Sequence, residues 1–242
     1  PAVIIAIVLT AVAAGAAAVK WAYFTNPSII NDDPRGVCSG GQYIYVVGHD
    51  YKFGYPQWRI EMYSKDDGKV VKVWTKPVWG WLNGCIVAGD KLYLVGHIYW
   101  MWAILFLDLN LNFVREKVER VKGMAKSVAS DREYLYIAGW EEVEYGDWQW
   151  RVEKRRVKDL SLVAVYTSNP TIMEDWAEGI GINPATGHLW VLGVGGTWRI
   201  EVLDRDLHRL MVLEPGISWT RGVVFDNGGN AYIYGGGGVV KY

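Results

Sequence analysis

The sequence predicts an all-β chain: a five-bladed β-propeller closed by an N-terminal strand and preceded by one long hydrophobic α-helix. Three observations lead there. A strand ending in glycine recurs along the chain, Trp and Tyr (14 and 15) far outnumber Phe (5), and the first 19 residues carry no charge. Aromatic side chains of that kind suit half-buried strand surfaces, and self-similarity at a period of ~40–50 residues marks propeller blades. The expected division is a helix over 1–19 and a propeller over 20–242.

The opening run PAVIIAIVLTAVAAGAAAV is long enough as a helix, at ~1.5 Å per residue, to span a hydrocarbon layer. Lys20, Trp21, Tyr23 and Phe24 then supply the basic and aromatic grouping of a membrane boundary. The bulky side chains come first, among them Val3, Ile4, Ile7 and Val8. The small residues Ala11, Ala14, Gly15 and Ala18 follow at spacings that let helix backbones approach closely. Those eight positions are the candidate helix-packing, or polymerisation, residues.

The propeller rests on five recurrences of the glycine-ended strand: Tyr43–Gly48, Lys91–Gly96, Tyr134–Gly139, His188–Gly193 and Asn230–Gly235. Four are followed by a strand opening with Trp58, Trp102, Trp150 or Trp198, at spacings of 44, 48 and 48 residues. Turns rich in Asp and Asn close each one, so every unit reads as a four-stranded antiparallel meander. The fifth unit stops at a third strand, Val239–Tyr242. Ala22–Ile30 parallels Val165–Met173 and is expected to supply the missing outer strand, which would build the helix into the edge of the last blade.

Cys38 and Cys85 fall on the innermost strands of the first two units, one residue out of phase, hence on opposite strand faces. That placement suits a disulfide across a seam, and an oxidising exterior would agree with it. His49 and His97 occupy equivalent places, but Trp140 and Val194 stand there in later units; repeat ancestry explains the pair, and no metal or other cofactor is expected. Net charge is -1, with 25 basic and 26 acidic residues interspersed, which excludes a phosphate-backbone footprint and with it nucleic acid.

Ser64–Gly68 resembles part of the Asp-box turn of sialidase-like propellers, a structural turn without catalytic meaning. Glycoside hydrolysis needs two converging carboxylates. Glu141, Glu142, Glu144, Glu174 and Asp175 are read as loop residues with no such pairing, so no catalytic residue is assigned and a non-enzyme is expected. The insertion Trp140–Gln149 and the run Tyr99–Trp102 could stack on sugars or cover a subunit interface.

The run Pro1–Leu9, the small residues after it and the exit Lys20-Trp21-Ala22-Tyr23 resemble the mature N-terminus of archaeal type IV pilins. The resemblance implies a leader removed by a prepilin peptidase, a helix held in the membrane and then bundled into a filament core. It points to an extracellular structural subunit, a pilin whose helical homopolymer carries propellers outside and serves in cell adhesion. The alternative is a membrane-anchored cell-surface propeller binding glycans or proteins; a propeller glycosidase stands third.

Overall fold

A computed structural model of the chain describes residues 9–10, 18–19, 22, 25, 28, 32–172 and 174–242. The strands are β1 (Leu9–Thr10), β2 (Ala18–Val19), β3 (Asp33–Gly40), β4 (Tyr43–Asp50), β5 (Gln57–Ser64), β6 (Val70–Lys76) and β7 (Gly80–Ala88). They continue as β8 (Lys91–Ile98), β9 (Met101–Asp108), β10 (Phe113–Ser130), β11 (Tyr134–Glu144), β12 (Asp147–Arg156) and β13 (Leu162–Ser168). The remainder are β14 (Trp176–Ile182), β15 (Leu189–Gly195), β16 (Thr197–Leu203), β17 (Arg209–Leu213), β18 (Ser218–Phe225), β19 (Ala231–Gly236) and β20 (Gly238–Lys241).

All pairings between consecutive strands are antiparallel. The sheets run β3-β4-β5-β6, β13-β12-β11-β10-β9-β8-β7, β14-β15-β16-β17 and β18-β19-β20, with β1-β2 as a separate ladder. The seven-stranded sheet arises because β10 runs unbroken for 18 residues. The chain divides into two compact units, Pro1–Leu94 with Phe106–Val114, and Val95–Leu105 with Arg115–Tyr242.

Two expectations are overturned. No helix occurs among the described residues, and Leu9–Thr10 pairs with Ala18–Val19 as strands inside the segment read as a helix. An uninterrupted apolar run signals burial but has no period to separate helix from strand, and its Val, Ile and Thr residues are β-branched. The likeness to type IV pilins and the filament core built on it fall with the helix. Of the helix-packing residues, Ala18 lies in β2, while Val3, Ile4, Ile7, Val8, Ala11, Ala14 and Gly15 lie outside the described residues. No helix of the described residues is long and apolar enough to cross a membrane.

The closed five-bladed propeller is the second correction. Every sheet is open, one holds seven strands rather than four, and among the described residues the last has three, with β20 paired only to β19. The expected closing strand falls on Ala22–Ile30, of which only Ala22, Thr25 and Ser28 are described, so that expectation lies outside the described residues.

Within each meander, burial follows strand order. Strands β4 and β8 are buried on both faces, and β5 and β9 nearly so, whereas the outer strand β6 alternates half-buried and exposed and carries Lys72 and Lys76. Charged outer edges of this kind resist pairing with other chains.

The recurring glycine has a steric cause. A Cβ on Gly48, Gly139 or Gly193 would collide with the backbone carbonyl of Asp33, Met124 or Trp176 on the adjoining strand. Each collision lies next to a register shift, at Pro34/Gly36, Ala125/Ser127 and Ala177/Gly179. A bulge folds the first strand towards the second, and only glycine fits beneath it.

The recurring Trp is a stitch. Trp102 Nε1 donates to Trp140 O at 2.7 Å, and Trp150 Nε1 donates to Val194 O at 2.6 Å, each ring being fully buried. The accepting residue follows the recurring glycine of the next meander, so the two signatures are halves of one contact.

Candidate functional site

The insertion after Gly139 is an extended hairpin rather than a loop. β11 and β12 pair from Tyr134↔Arg156 out to Glu144↔Asp147, turning through Tyr145 and Gly146, whose φ is 83°. Glu141, Glu142 and Glu144, expected in a loop, are therefore strand residues. Trp140 and Trp148 stack with centroids 4.3 Å apart, and Trp148 meets the edge of Trp176 at 6.3 Å. The hairpin is fastened to the segment before β14: Asp175 N donates to Trp148 O at 3.0 Å, and Asn169 Nδ2 donates to Asp147 Oδ2 at 3.2 Å.

Beside this ladder lies a cleft of about 540 Å³ lined by Gly146, Thr171, Ile172, Glu174, Trp176 and Val194. A single indole with a carboxylate and a hydroxyl beside it suits a ligand with apolar faces and hydroxyl rims. Tyr145 at the hairpin tip is 99% exposed and Ile172 is 92% exposed. The run Tyr99–Trp102 is divided instead. Trp102 is core, while Tyr99 and Trp100 form a left-handed turn at φ 50° and 63°, with Trp100 stacked on His97 at 5.0 Å.

A second constellation follows the Trp that opens the third strand. Arg59 Nε donates to Glu61 Oε1 at 2.8 Å and Arg59 Nη1 to Asp50 Oδ2 at 3.2 Å. Arg151 repeats this with Glu153 at 2.8 Å and Glu141 at 2.6 Å. Arg199 Nη2 donates to Glu201 Oε1 at 2.5 Å, but its buried Nε has no partner among the described residues. Glu61, Glu153 and Glu201 are all buried. Glu201 also accepts from Tyr166 Oη (2.7 Å) and Ser168 Oγ (2.8 Å), and Arg209 Nη1 stands 3.8 Å away. Burial first, then the bond to Glu201, raises the Tyr166 pKa. Arg199 and Arg209 line a cleft of about 590 Å³ with Tyr166, Thr167, Ser168, Asn169 and Pro170.

Cys38 and Cys85 are joined in a disulfide with Cα atoms 5.9 Å apart. His49 is buried, stacked on Trp81 at 5.5 Å, and burial, aided by the Arg35 charge, lowers its pKa to about 4. Groups of three or more metal-ligating side chains do not occur among the described residues. Asp175 is buried and its pKa is raised, mainly by burial, yet its carboxylate takes the Thr171 N–H and Oγ1 at 2.8 and 2.9 Å. Asp32 holds Ser28 through the same two atoms at 3.1 and 2.7 Å, so the Asp175 pair is a repeated loop clasp.

In the sequence the Trp-Arg-x-Glu strands stand out as repeat markers, but their ion clusters do not, nor do Trp176 and Arg209. The signal lay two residues after the recurring glycine, where Asp50 and Glu141 give way to Gly195.

No family model matches the sequence, and no curated protein matches it. Solved structures do. A Kuenenia stuttgartiensis hydrazine synthase chain superposes with TM-score 0.62 at 14% identity over 87% of this chain and 64% of that one. A protein of unknown function from Bacteroides caccae gives TM-score 0.59 at 11% identity over 83% and 69%. The chain thus spans less than two thirds of the hydrazine synthase chain. At these identities the likeness is one of fold alone.

Proposed function

We propose that the chain is a binding domain working outside the reducing cytosol, which takes oligosaccharide in the cleft beside Trp176. The observation that carries this is Trp176, which lines a cleft that also presents Glu174 and is backed by the Trp140–Trp148 stack of a paired hairpin. A pyranose ring offers an apolar face to indole and hydroxyls to such polar neighbours. The Cys38–Cys85 bridge supports an oxidising setting. The role is read as binding rather than turnover, because the buried carboxylate nearest the cleft, Asp175, is occupied in a clasp that Asp32 duplicates.

Calorimetry against neutral pentasaccharides of glucose, mannose, xylose and N-acetylglucosamine tests it. Saturable binding of at least one, weakened about tenfold or more by Trp176→Ala, is expected, in keeping with stacking worth ~1 kcal/mol or more. Binding of none, or binding indifferent to Trp176→Ala, refutes the reading. Capture of a protein partner through Tyr145 and Ile172 without sugar binding would refute it too.

A further inference from the structure

The Arg199 cluster differs from its two counterparts in a way that leaves it short of negative charge. Two residues after the recurring glycine, Asp50 and Glu141 each reach the arginine of their own meander. Gly195 holds that place in the fourth meander, and a Cβ there would collide with Pro170 Cγ. The site is therefore shut to an internal carboxylate. Where a second unit dispenses with the cluster, it drops all the charges together, having Ile98, Ala103 and Leu105 at the three positions.

Ladder register adds the second difference. Leu203 pairs with Arg209 in β16–β17, while the corresponding partners are Val70 in β6 and Leu162 in β13. An apolar position has become an arginine. The Arg59 cluster sets one cation against Asp50 and Glu61, whereas the fourth sets Arg199 and Arg209 against Glu201 alone. Asp175 also acts on Arg199, but its counterpart Asp32 lines the Arg59 cluster and does not alter the contrast.

Space is available as well, since Arg199 and Arg209 line a cleft of about 590 Å³. A buried guanidinium N–H without a partner costs free energy until something accepts from it. In the counterparts the strand's own glutamate accepts that Nε–H, whereas Glu201 takes Arg199 Nη2, Tyr166 and Ser168 instead.

We propose that Arg199 and Arg209 bind the carboxylate of an acidic sugar, which takes the place that Asp50 and Glu141 fill elsewhere. A carboxylate is favoured because the counterparts use one on the same fork, and guanidinium matches it with two parallel donors. A sugar is favoured because one short segment serves both clefts: Asn169 and Pro170 line the arginine cleft, Thr171 and Ile172 the Trp176 cleft. An oligomer stacked at Trp176 can thus present its next uronate to Arg199. This extension rests on the sugar-binding reading above.

Calorimetry of oligogalacturonate and its fully methyl-esterified form, titrated into the intact chain, tests the proposal. The acid is expected to bind about tenfold tighter, the size of one charge-assisted hydrogen bond. Arg199→Lys and Arg209→Gln should each erase that preference, while Trp176→Ala weakens both forms alike. Equal affinity for the two forms, a preference surviving both arginine substitutions, or tighter binding of tri-glutamate than of the uronate overturns it. If neither oligomer binds, the Trp176 reading fails by itself, and NMR of the Arg199 Nε–H resonance decides the arginine site. A saturable shift with D-glucuronate and none with D-glucose supports it; no shift with glucuronate overturns it.

Discussion

The Arg59 and Arg199 clusters are built from the same Trp-Arg-Ile-Glu strand and have opposite characters. At Arg59 the guanidinium is held by Glu61 and Asp50, and Glu61 accepts in addition from Thr25 Oγ1 at 3.2 Å and from Tyr63 Oη. The guanidinium is answered within the chain, so the cluster fastens strands. At Arg199 one carboxylate is missing, a second arginine has arrived and both arginines line a cleft. A repeat preserves the parts needed for folding and shows, by departure, where a site has been freed for something else.

The sharpest way to break that comparison is to remove the buried glutamate from each cluster. Glu201→Ala leaves Arg199 and Arg209 with no hydrogen-bonded carboxylate, and an uncompensated buried charge costs about 3 kcal/mol or more. Glu61→Ala leaves Arg59 its bond to Asp50, and the expected loss is about half as large. Urea denaturation of both variants checks the order; equal losses would mean that Asp50 does nothing for Arg59.

The next largest effect comes from restoring the missing acid. Gly195→Asp forces a side chain against Pro170 and should cost about 2 kcal/mol through overpacking. Adding Pro170→Ala should recover most of that loss and make a closed cluster like that of Arg59. The single and double variants form a cycle whose coupling energy measures the rebuilt pair. The double variant should also lose any preference for acidic over esterified oligosaccharide.

Much of this was legible in the sequence in part. The strand-ending glycine, the Trp that opens the third strand and the Asp-led turns were visible as a period. Their causes were not, because the bulge beneath Gly139 and the indole bond from Trp102 to Trp140 are contacts between strands that no local pattern records. The turns show the same limit. Leu111, Leu160 and Leu207 sit at φ 60°, 61° and 69°, a left-handed conformation that sequence rules reserve for Gly or Asn. All three are buried, so core packing holds a conformation that the local sequence disfavours. The apolar N-terminus misled for the opposite reason: it has composition without period, and composition alone could not choose between helix and strand. Gly195 was readable in principle, by aligning the position after each recurring glycine and asking which charge had gone.

A smaller effect separates the two regions by pH. His49 lies against the Arg59 cluster, with Asp33, Asp50 and Asp32 opposing the Arg35 charge, and its pKa falls from 6.5 to about 4. Val194 holds the corresponding place in the fourth meander. A base whose folded pKa is depressed gives its full stability above pH 6.5 and loses it as the pH falls towards 4. Between pH 7 and 5.5 the loss is on the order of 1 kcal/mol. His49→Phe should flatten that part of the stability profile; a profile unchanged by the substitution would place the acid sensitivity elsewhere.

The smallest expected effect on stability is at Arg209, and it is the most informative. Arg209 is half exposed and 3.8 Å from Glu201, which is held by closer bonds from Arg199, Tyr166 and Ser168. Arg209→Gln should therefore change stability by no more than about 0.5 kcal/mol, as for a surface residue making no special contact. If Arg209 were there to brace Glu201, the variant would instead approach the loss seen for Glu201→Ala. A near-neutral result in denaturation, together with loss of discrimination against the methyl ester, would separate the ligand role of this arginine from a structural one. Because exposed charges are screened by salt, the discrimination contributed by Arg209 should shrink between 50 and 500 mM NaCl.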